Sequence, residues 1–364
     1  MSTASPRHRL GLVVGKFSPL HRGHEHVIQR AQQACEQVLV LGYSQPGFAG
    51  CERDRREAWV RRRFPGVINL QIDDAWVRDR CAGLGLAWRP MPDNQASDEA
   101  QQAWLAWLLD GPIGLRPDAM FASEPYLVPT CNRLARTWGQ GVTPVSVDPD
   151  RSLHPISART LRHDVHAQRA WLHPDVYRDF VGRVALLGGE SSGKTTLAEA
   201  LARAEGTVWV PEYGRERWQA CGGHLSLDDL VDIGRTQVEH EEALLGQAHR
   251  WLVCDTSPLT TWGYAGWMFG QQPPELMQAA QRPYDLLVLC TPDFGFVQDG
   301  TRRGTDFQRE QHRWYEAQLL SRDEPVLRVH GPLAQRVTQV QAALARLTKT
   351  SPLGDQPGDP AEPS

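Results

Sequence analysis

The residues Gly188, Gly193, Lys194 and Thr195 have the types and the spacing needed to bind phosphate. They complete the pattern G-x-x-x-x-G-K-T. Glycines let successive backbone N–H groups point at one phosphate, and the start of a helix adds about half a positive charge there. In such a loop Lys194 reaches the β- and γ-phosphates and the Thr195 hydroxyl coordinates Mg²⁺. The predicted binding residues are Gly188, Gly189, Glu190, Ser191, Ser192, Gly193, Lys194, Thr195 and Thr196.

The neighbouring sequence supplies the elements that this loop needs. Val184 to Leu187 form an apolar run typical of a short buried strand, and the Ala/Leu-rich stretch from Thr196 to Ala204 predicts a helix. A Gly/Ser-rich turn that matches by accident would not be framed in this way. The sequence therefore predicts a phosphate-binding loop between a strand and a helix.

Two carboxylates follow later strands of the same region. Glu212 comes just after the strand Val208–Val210, and Asp255 ends the strand Trp251–Asp255. Either could orient or deprotonate an acceptor hydroxyl, and Asp255 could also hold Mg²⁺ with Thr195. Glu212 could instead be a surface turn residue, and the sequence does not rank the two as the base.

Other polar and aromatic residues complete this predicted site. A glycine-bearing loop with Arg302 suits a lid that neutralises charge on ATP. We assign acceptor binding to residues near the two carboxylates and to that loop: Tyr213, Arg215, Trp262, Tyr264 and Asp299.

A second loop, Gly15 to His24, carries two histidines three residues apart. It lies between a predicted strand, Leu10–Val14, and a predicted helix, Glu25–Cys35. At a helix start, His21 and His24 can present imidazole N–H groups on one side, and such donors stabilise charge that develops on a phosphate chain. The sequence therefore predicts a second anion-binding site.

Further residues are predicted to join the second loop. Ligands in open α/β sheets bind beyond the carboxyl ends of strands, and Ser123, Glu124 and Tyr126 follow such a strand. Ser157 could cap a helix near phosphate, and Arg162 could bind two phosphate oxygens. The candidates are Gly15, Lys16, Phe17, His21, His24, Ser157 and Arg162 for ATP, and Ser123, Glu124, Tyr126 and Arg151 for the substrate.

The loop from Gly15 to His24 and a later element resemble motifs of a known superfamily. Gly15 to His24 is similar to the G-x-F-x-P-x-H-x-G-H signature of nucleotidyltransferases, and Ile156 to Arg162 is similar to their I-S-x-T-x-x-R element. The second element departs from its pattern at Arg159, where threonine is usual. Thr160 could substitute, or the site could be weakened.

The order of all the motifs, from about residue 10 to 347, resembles the NadR-type bifunctional enzymes. These join nicotinamide-mononucleotide adenylyltransferase to ribosylnicotinamide kinase. The resemblance implies that nicotinamide riboside is phosphorylated with ATP and Mg²⁺, and that the resulting nicotinamide mononucleotide is adenylylated to NAD. Some members carry a DNA-binding segment ahead of the first domain, for which we expect no room before residue 10.

The predicted fold class is α/β with two domains, each a parallel sheet flanked by helices. A Rossmann-like HxGH nucleotidyltransferase domain, 8–165, is followed by a connector, 166–181, and a P-loop kinase domain, 182–349. The ends, 1–7 and 350–364, are expected to be disordered. A chain of 364 residues agrees with two domains.

Composition excludes several classes of partner. The net charge of −4 provides no global basic field, so we expect no nucleic-acid or membrane partner. The run Arg53–Arg63 reads as a solvated helix face more readily than as a nucleic-acid patch. Seven scattered cysteines, without a C-x-x-C pair or a signal sequence, predict a reducing, cytoplasmic setting.

Two alternatives stay open at this point. One is another fused transferase and kinase, such as a pantetheine-phosphate or cytidylyl-type transferase joined to a deoxynucleoside kinase. The other is a regulator that senses ATP and NAD without efficient chemistry. The sequence also leaves open whether the chain forms a homo-oligomer.

Overall fold

The structure is a computed structural model that describes residues 7–293 and 304–349. The predicted site residues Asp299 and Arg302 lie outside these ranges, as do most of the two predicted disordered ends. The chain divides into two compact units, with the division between Tyr177 and Arg178. This point falls inside the predicted connector.

The described residues of the first unit form one five-stranded parallel sheet. The strand order is β3-β2-β1-β4-β5. Its central strands are apolar runs because both faces are covered by helices. The strands are β1 (His8–Gly15), β2 (Cys35–Gly42), β3 (Ile68–Gln71), β4 (Ala119–Ala122) and β5 (Thr143–Ser146).

Helices connect and flank these strands. The core between sheet and helices includes Leu12, Leu39, Met120 and Leu134, all fully buried. A short π-helical segment, Leu109–Ile113, follows α4. The helices are α1 (Arg22–Ala34), α2 (Arg53–Arg63), α3 (Asp74–Leu84), α4 (Asp98–Leu108), α5 (Leu127–Trp138), α6 (Ala158–His163) and α7 (Pro174–Tyr177).

Helix α3 forms in a segment, Asp73 to Asp98, whose sequence shows no regular pattern. The Asp73 carboxylate accepts a hydrogen bond from the Trp76 backbone at 2.8 Å and so caps the helix. Gly85, with φ +67°, ends it in the left-handed conformation. The two caps are local start and stop signals that outweigh the weak apolar periodicity between them.

The second unit also has a five-stranded parallel sheet within its described residues. The strand order is β10-β9-β6-β8-β7. The buried sides of its strands pack on Leu197 and Leu201 of the first helix and on Val340 of the last. The strands are β6 (Gly182–Leu187), β7 (Trp209–Val210), β8 (Trp251–Asp255), β9 (Leu286–Cys290) and β10 (Val326–Val329).

The helices of this unit cover both faces of the sheet. Ser226 begins the long α10 with a reciprocal capping box to Asp229, as its sequence suggests. After Val210 the chain enters α9 within two residues, and Glu212 is the N-cap residue of that helix. The helices are α8 (Lys194–Glu205), α9 (Tyr213–Ala220), α10 (Leu227–Leu244), α11 (Pro258–Phe269), α12 (Pro274–Ala280), α13 (Thr305–Leu319) and α14 (Leu333–Lys349).

The structure bears on two expectations, the state of the cysteines and the presence of a membrane-spanning helix. All seven cysteines lie in described segments and all are free thiols, six of them buried. Among the described residues, no helix combines the length and apolar character that crossing a membrane requires.

Candidate active sites

The first unit has a cavity of about 400 Å³ at the point where the strand order of its sheet reverses. The chain leaves β1 towards β2 and later returns to β4 on the other side of β1. The loops after β1 and β4 therefore diverge and leave a crevice. The lining includes every predicted residue of this site, namely Gly15, Lys16, Phe17, His21, His24, Ser123, Glu124, Tyr126, Arg151, Ser157 and Arg162.

The two histidines lie against each other at the start of α1. Their rings are stacked with centroids 3.7 Å apart, and Phe17 meets the His24 ring edge-on at 5.0 Å. Burial, with the positive charge of Arg151, lowers the pKa of His24 to about 3. Burial and the neighbouring His24 hold the pKa of His21 well below its usual range. Both rings are therefore neutral at pH 7, and each keeps one N–H donor.

Two arginines donate hydrogen bonds to backbone carbonyls of the histidine loop, Gly15 to His24. Arg56 of α2 donates to the Lys16 carbonyl at 3.2 Å, and Arg162 donates to the Ser18 carbonyl at 2.7 Å. The Arg162 guanidinium also lies 3.8 Å from the centre of the Phe48 ring. Arg162 thus positions the loop as well as lining the cavity.

The position of Arg56 revises the interpretation of the arginine-rich helix. Arg56 is only 3% exposed, and Arg63 forms an ion pair at 2.7 Å with Glu25, which is itself buried. The run is therefore partly internal. The number of arginines in the segment could not reveal this, because the burial of each side chain depends on what packs against the helix.

The cavity is also lined by Ser157 and Arg162 of the second predicted motif, Ile156 to Arg162. Ser157 caps α6, since its hydroxyl accepts a hydrogen bond from the Thr160 backbone at 3.1 Å. Arg159, where the motif departs from its pattern, faces the same cavity. Other lining residues were not predicted from the sequence, including His154, Asn94, Gln101 and Thr130. None of the four tryptophans Trp76, Trp88, Trp104 and Trp107 is among the lining residues.

The second unit has a cavity of about 500 Å³ beside the predicted phosphate loop, Gly188–Thr195. Residues Glu190 to Thr196 line it. Gly188 adopts φ +140°, and a Cβ there would lie 2.8 Å from the Cys290 carbonyl oxygen, so only glycine fits. The Lys194 ammonium donates to the carbonyls of Gly188 at 2.9 Å and Gly189 at 3.2 Å, which places it within the loop.

Asp255 and Thr195 form the candidate metal position beneath this loop. The Thr195 hydroxyl donates to Asp255 Oδ2 at 2.5 Å, and Asp255 Oδ1 is buried with no hydrogen-bond partner among the described residues. Burial and the charge of Glu212 raise the pKa of Asp255 to about 6. The described residues contain no cluster of three or more His, Cys, Asp or Glu that could hold an ion by itself. This arrangement fits Mg²⁺, which commonly takes one carboxylate together with phosphate oxygens and water.

The two carboxylates that the sequence could not rank differ in placement. Glu212 lines the cavity and lies 3.9 Å from Arg215, whereas Asp255 is 1% exposed and turned towards Thr195. Of the two carboxylates, Glu212 is thus the one that lines the cavity.

Glu190 of the phosphate loop belongs to a closed ring of hydrogen bonds. The Glu190 backbone N–H donates to Gln311 Oε1 at 2.8 Å, and Gln311 Nε2 donates to the Tyr264 hydroxyl at 3.2 Å. The Tyr264 hydroxyl donates to Glu190 Oε1 at 3.1 Å. Gln308 adds a bond to the Glu190 carbonyl at 2.7 Å. The glutamines of α13 therefore connect the phosphate loop to the cavity wall, although no sequence motif marks them.

Helix α11 presents one face to this cavity. Thr260, Tyr264 and Trp267 line it at the helical spacing i, i+4, i+7. Trp262 is turned the other way and lines a different depression with Met277. Tyr213 packs into a small apolar cluster. The structure therefore brings Arg215 and Tyr264 to the cavity, but neither Trp262 nor Tyr213.

Comparison with known proteins finds similarity both within the second unit and over most of the chain. A family profile described as an AAA domain (AAA_28) matches residues 183–336. The trifunctional NAD biosynthesis/regulator protein NadR of Salmonella typhimurium LT2 is 28% identical over 310 residues, which cover 80% of this chain and 71% of that protein. Its Escherichia coli K12 counterpart is 27% identical over 329 residues, covering 85% and 76%.

Solved structures agree over nearly the whole length. A NadR protein in complex with NR superposes with a TM-score of 0.64 at 18% identity, covering 95% of this chain and 96% of that one. A NadR protein in complex with NAD and AMP-PNP gives the same TM-score and identity, covering 98% and 99%. The resemblance predicted from the motifs is thus confirmed: the chain is similar to NadR proteins over most of its length.

Proposed function

We propose that the chain carries out two consecutive steps of NAD synthesis. The second unit transfers the γ-phosphoryl group of ATP to nicotinamide riboside. The first unit then joins the phosphate of nicotinamide mononucleotide to the α-phosphorus of a second ATP, which gives NAD and releases pyrophosphate. The enzyme is accordingly a bifunctional transferase with an HxGH nucleotidyltransferase unit and a P-loop kinase unit.

The observation that carries the proposal is the convergence of the motif residues on two separate cavities. Each volume falls within the range of about 300–1,000 Å³ that is usual for small-molecule sites. In the second unit, the phosphate loop and Glu212 lie on the same cavity. In the first unit, His21, His24 and Arg162 lie on the same cavity. The choice of nicotinamide compounds as substrates rests on the relatives, whose names state NAD biosynthesis.

In the kinase unit, the backbone N–H groups of the phosphate loop and Lys194 hold the phosphates of ATP. Thr195 and Asp255 would hold Mg²⁺, which when bound offsets charge on the transferring group. We assign the base to Glu212, because it faces the cavity, while Asp255 is directed at Thr195. Arg215, 3.9 Å from Glu212, lies where it can orient that carboxylate.

Aromatic side chains supply the wall for the acceptor. Trp267 and Tyr264 present flat surfaces to the cavity, and Trp218 lines it from α9. The nicotinamide ring of the riboside is a cation, and cations bind favourably over such rings. The wall therefore suits this acceptor chemically.

In the transferase unit, the attacking phosphate is already ionised and needs no base. Catalysis then depends on placement and on charge stabilisation. His21 and His24 act as neutral N–H donors, while Lys16, Arg162 and Ser157 hold the phosphates of ATP. Ser123, Glu124 and Tyr126 line the part of the cavity beyond β4, where we place the mononucleotide.

Separate assays of the two half-reactions test the proposal. We expect His24→Ala to abolish adenylyl transfer and leave phosphorylation of nicotinamide riboside unchanged. Lys194→Ala should do the reverse. Loss of both activities from either substitution would contradict two independent sites. Phosphorylation of another nucleoside, with none of nicotinamide riboside, would refute the substrate assignment, and NAD binding without either reaction would indicate a sensor.

A further inference from the structure

One buried arginine of the second unit contacts the phosphate loop from the side away from the cavity. Arg336 lies in the first turn of α14 and is 2% exposed. Its Nη1 donates to the Ser192 carbonyl at 2.9 Å, its Nη2 to the Thr291 carbonyl at 2.8 Å and its Nε to the Gly331 carbonyl at 2.8 Å. The same Nη2 also forms an ion pair with Asp293.

These partners belong to the ends of three neighbouring strands. Ser192 lies in the loop after β6, Thr291 and Asp293 follow β9, and Gly331 follows β10. The sheet order places β6, β9 and β10 side by side. Only a planar fork of several N–H groups can serve three carbonyls in such fixed directions, which a lysine ammonium does not match. Arg336 therefore fixes the phosphate loop relative to the two adjacent strand ends.

The contact with Ser192 has a direct consequence for phosphate binding. The carbonyl of Ser192 and the N–H of Gly193 belong to one planar trans peptide, so they point in opposite directions. Arg336 draws the carbonyl outward, and the Gly193 N–H is thereby turned inward. Gly193 lines the cavity and adopts φ +82°, which allows this orientation at low cost.

The location of the charge is unfavourable unless it has a specific use. A cation near a helix N-terminus opposes the helix dipole, and a buried guanidinium loses its hydration. A neutral side chain would cover this part of the core at a lower cost in free energy. The hydrogen bonds to the phosphate loop and its neighbours explain why an arginine is present.

We propose that Arg336 is a positioning residue for phosphoryl transfer, which sets the direction of the Gly193 amide towards the β- and γ-phosphates of ATP without touching ATP. The inference rests on the proposed kinase function of the second unit. It extends that function to a residue that is about 140 positions away in sequence and outside every motif of the chain.

The test compares Arg336→Lys with Arg322→Lys in the full-length chain. Arg322 is a matched control, because it also donates to two backbone carbonyls, those of Ala280 and Arg282, and pairs with a carboxylate, Glu324. Both variants lose the guanidinium fork and should lose thermal stability. Only Arg336→Lys should raise the KM for ATP, by about ten- to hundredfold, the range for one hydrogen bond to a charged group.

Several measurements separate positioning from general destabilisation. The KM for nicotinamide riboside and the adenylyl transfer activity of the same molecules should stay within about twofold, since neither depends on the Gly193 amide. An Arg336→Lys variant that is folded, with the ATP KM of the wild type, would overturn the proposal. An equal rise in Arg322→Lys would overturn it as well.

A second variant keeps the proposal testable if Arg336→Lys does not fold. Asp293→Asn keeps the guanidinium but weakens its only carboxylate partner among the described contacts, so the KM for ATP should rise by about fivefold. An unchanged KM in Asp293→Asn would refute the proposal in that case. If the wild type does not phosphorylate nicotinamide riboside, or Lys194→Ala does, the proposed function fails and not the role of Arg336.

Discussion

Replacing Asp255 by asparagine should make the ligand-free protein more stable while it abolishes kinase activity. Asp255 is 1% exposed, and its carboxylate accepts a hydrogen bond from the Thr195 hydroxyl. Burial and the charge of Glu212 raise its pKa from 3.8 to about 6. The ionised form is therefore held in the folded state against an unfavourable environment.

The sign and size of the effect follow from proton linkage. In the unfolded chain the carboxyl ionises near pH 4, whereas in the folded chain it keeps its proton up to about pH 6. Its contribution thus lowers stability progressively as the pH rises from about 4 to 6, and the full cost applies above that. A shift of about two pK units corresponds to about 3 kcal/mol.

Asparagine removes this cost but also weakens the bond to Thr195. Replacing a charged acceptor by a neutral one loses about 1 kcal/mol, so the net gain at pH 7.5 should be about 2 kcal/mol. For a unit of about 170 residues this raises the melting temperature by about 4–8 °C. At pH 4 the gain should disappear, because the carboxyl is then protonated in the folded state.

Scanning calorimetry of both proteins at pH 4 and pH 7.5 measures this difference. The transition of the second unit is identified as the one that Leu201→Ala lowers, since Leu201 is fully buried in that core. Asp323→Asn, at an exposed aspartate, is the matched control and should change neither transition. Destabilisation by Asp255→Asn at pH 7.5, or an equal gain at both pH values, would refute the reasoning.

Two further substitutions test the assigned roles in the kinase cavity. Glu212→Gln should lower the kcat of phosphorylation by about 10²–10⁴ with little change in either KM, because it removes a base; a kcat within threefold of the wild type in steady-state assays would return the role to Asp255. Tyr264→Phe should lower kcat/KM of the kinase by about three- to tenfold through the lost bond to Glu190. Tyr284→Phe, which loses a hydroxyl bonded to the buried Glu241, should reduce stability but leave kinetics unchanged, and equal kinetic losses in both would contradict a specific role for Tyr264.

The elements that carry local signals could be predicted from the sequence. The phosphate loop has its strand, its glycines and its helix within about twenty residues, so every feature that defines it is contiguous. The histidine loop is similar. Most motif residues of both loops line a cavity, because the strand before them and the helix after them leave the backbone few alternatives.

Residues that act across the fold could not be found in this way. Gln308 and Gln311 are ordinary polar residues of an amphipathic helix until the packing of α13 shows that they bind Glu190. In contrast, the opposite directions of Trp262 and Trp267 could have been predicted from the sequence. The spacing of Thr260, Tyr264 and Trp267 places these three on one helical face, and applying that period would have excluded Trp262 from the cavity.

The two units use the same physical solution at their two candidate anion sites. A loop that turns its N–H groups towards a phosphate must turn carbonyls away from it, and those carbonyls then need donors inside the protein. In the first unit Arg56 serves the Lys16 carbonyl, and in the second Arg336 serves the Ser192 carbonyl, each from a nearly buried position. Arginine suits this place because it offers five donors and no acceptor that would itself need a partner. Single-sequence patterns assign arginine to the surface, so the residues that hold both loops in place are the ones that such patterns hide.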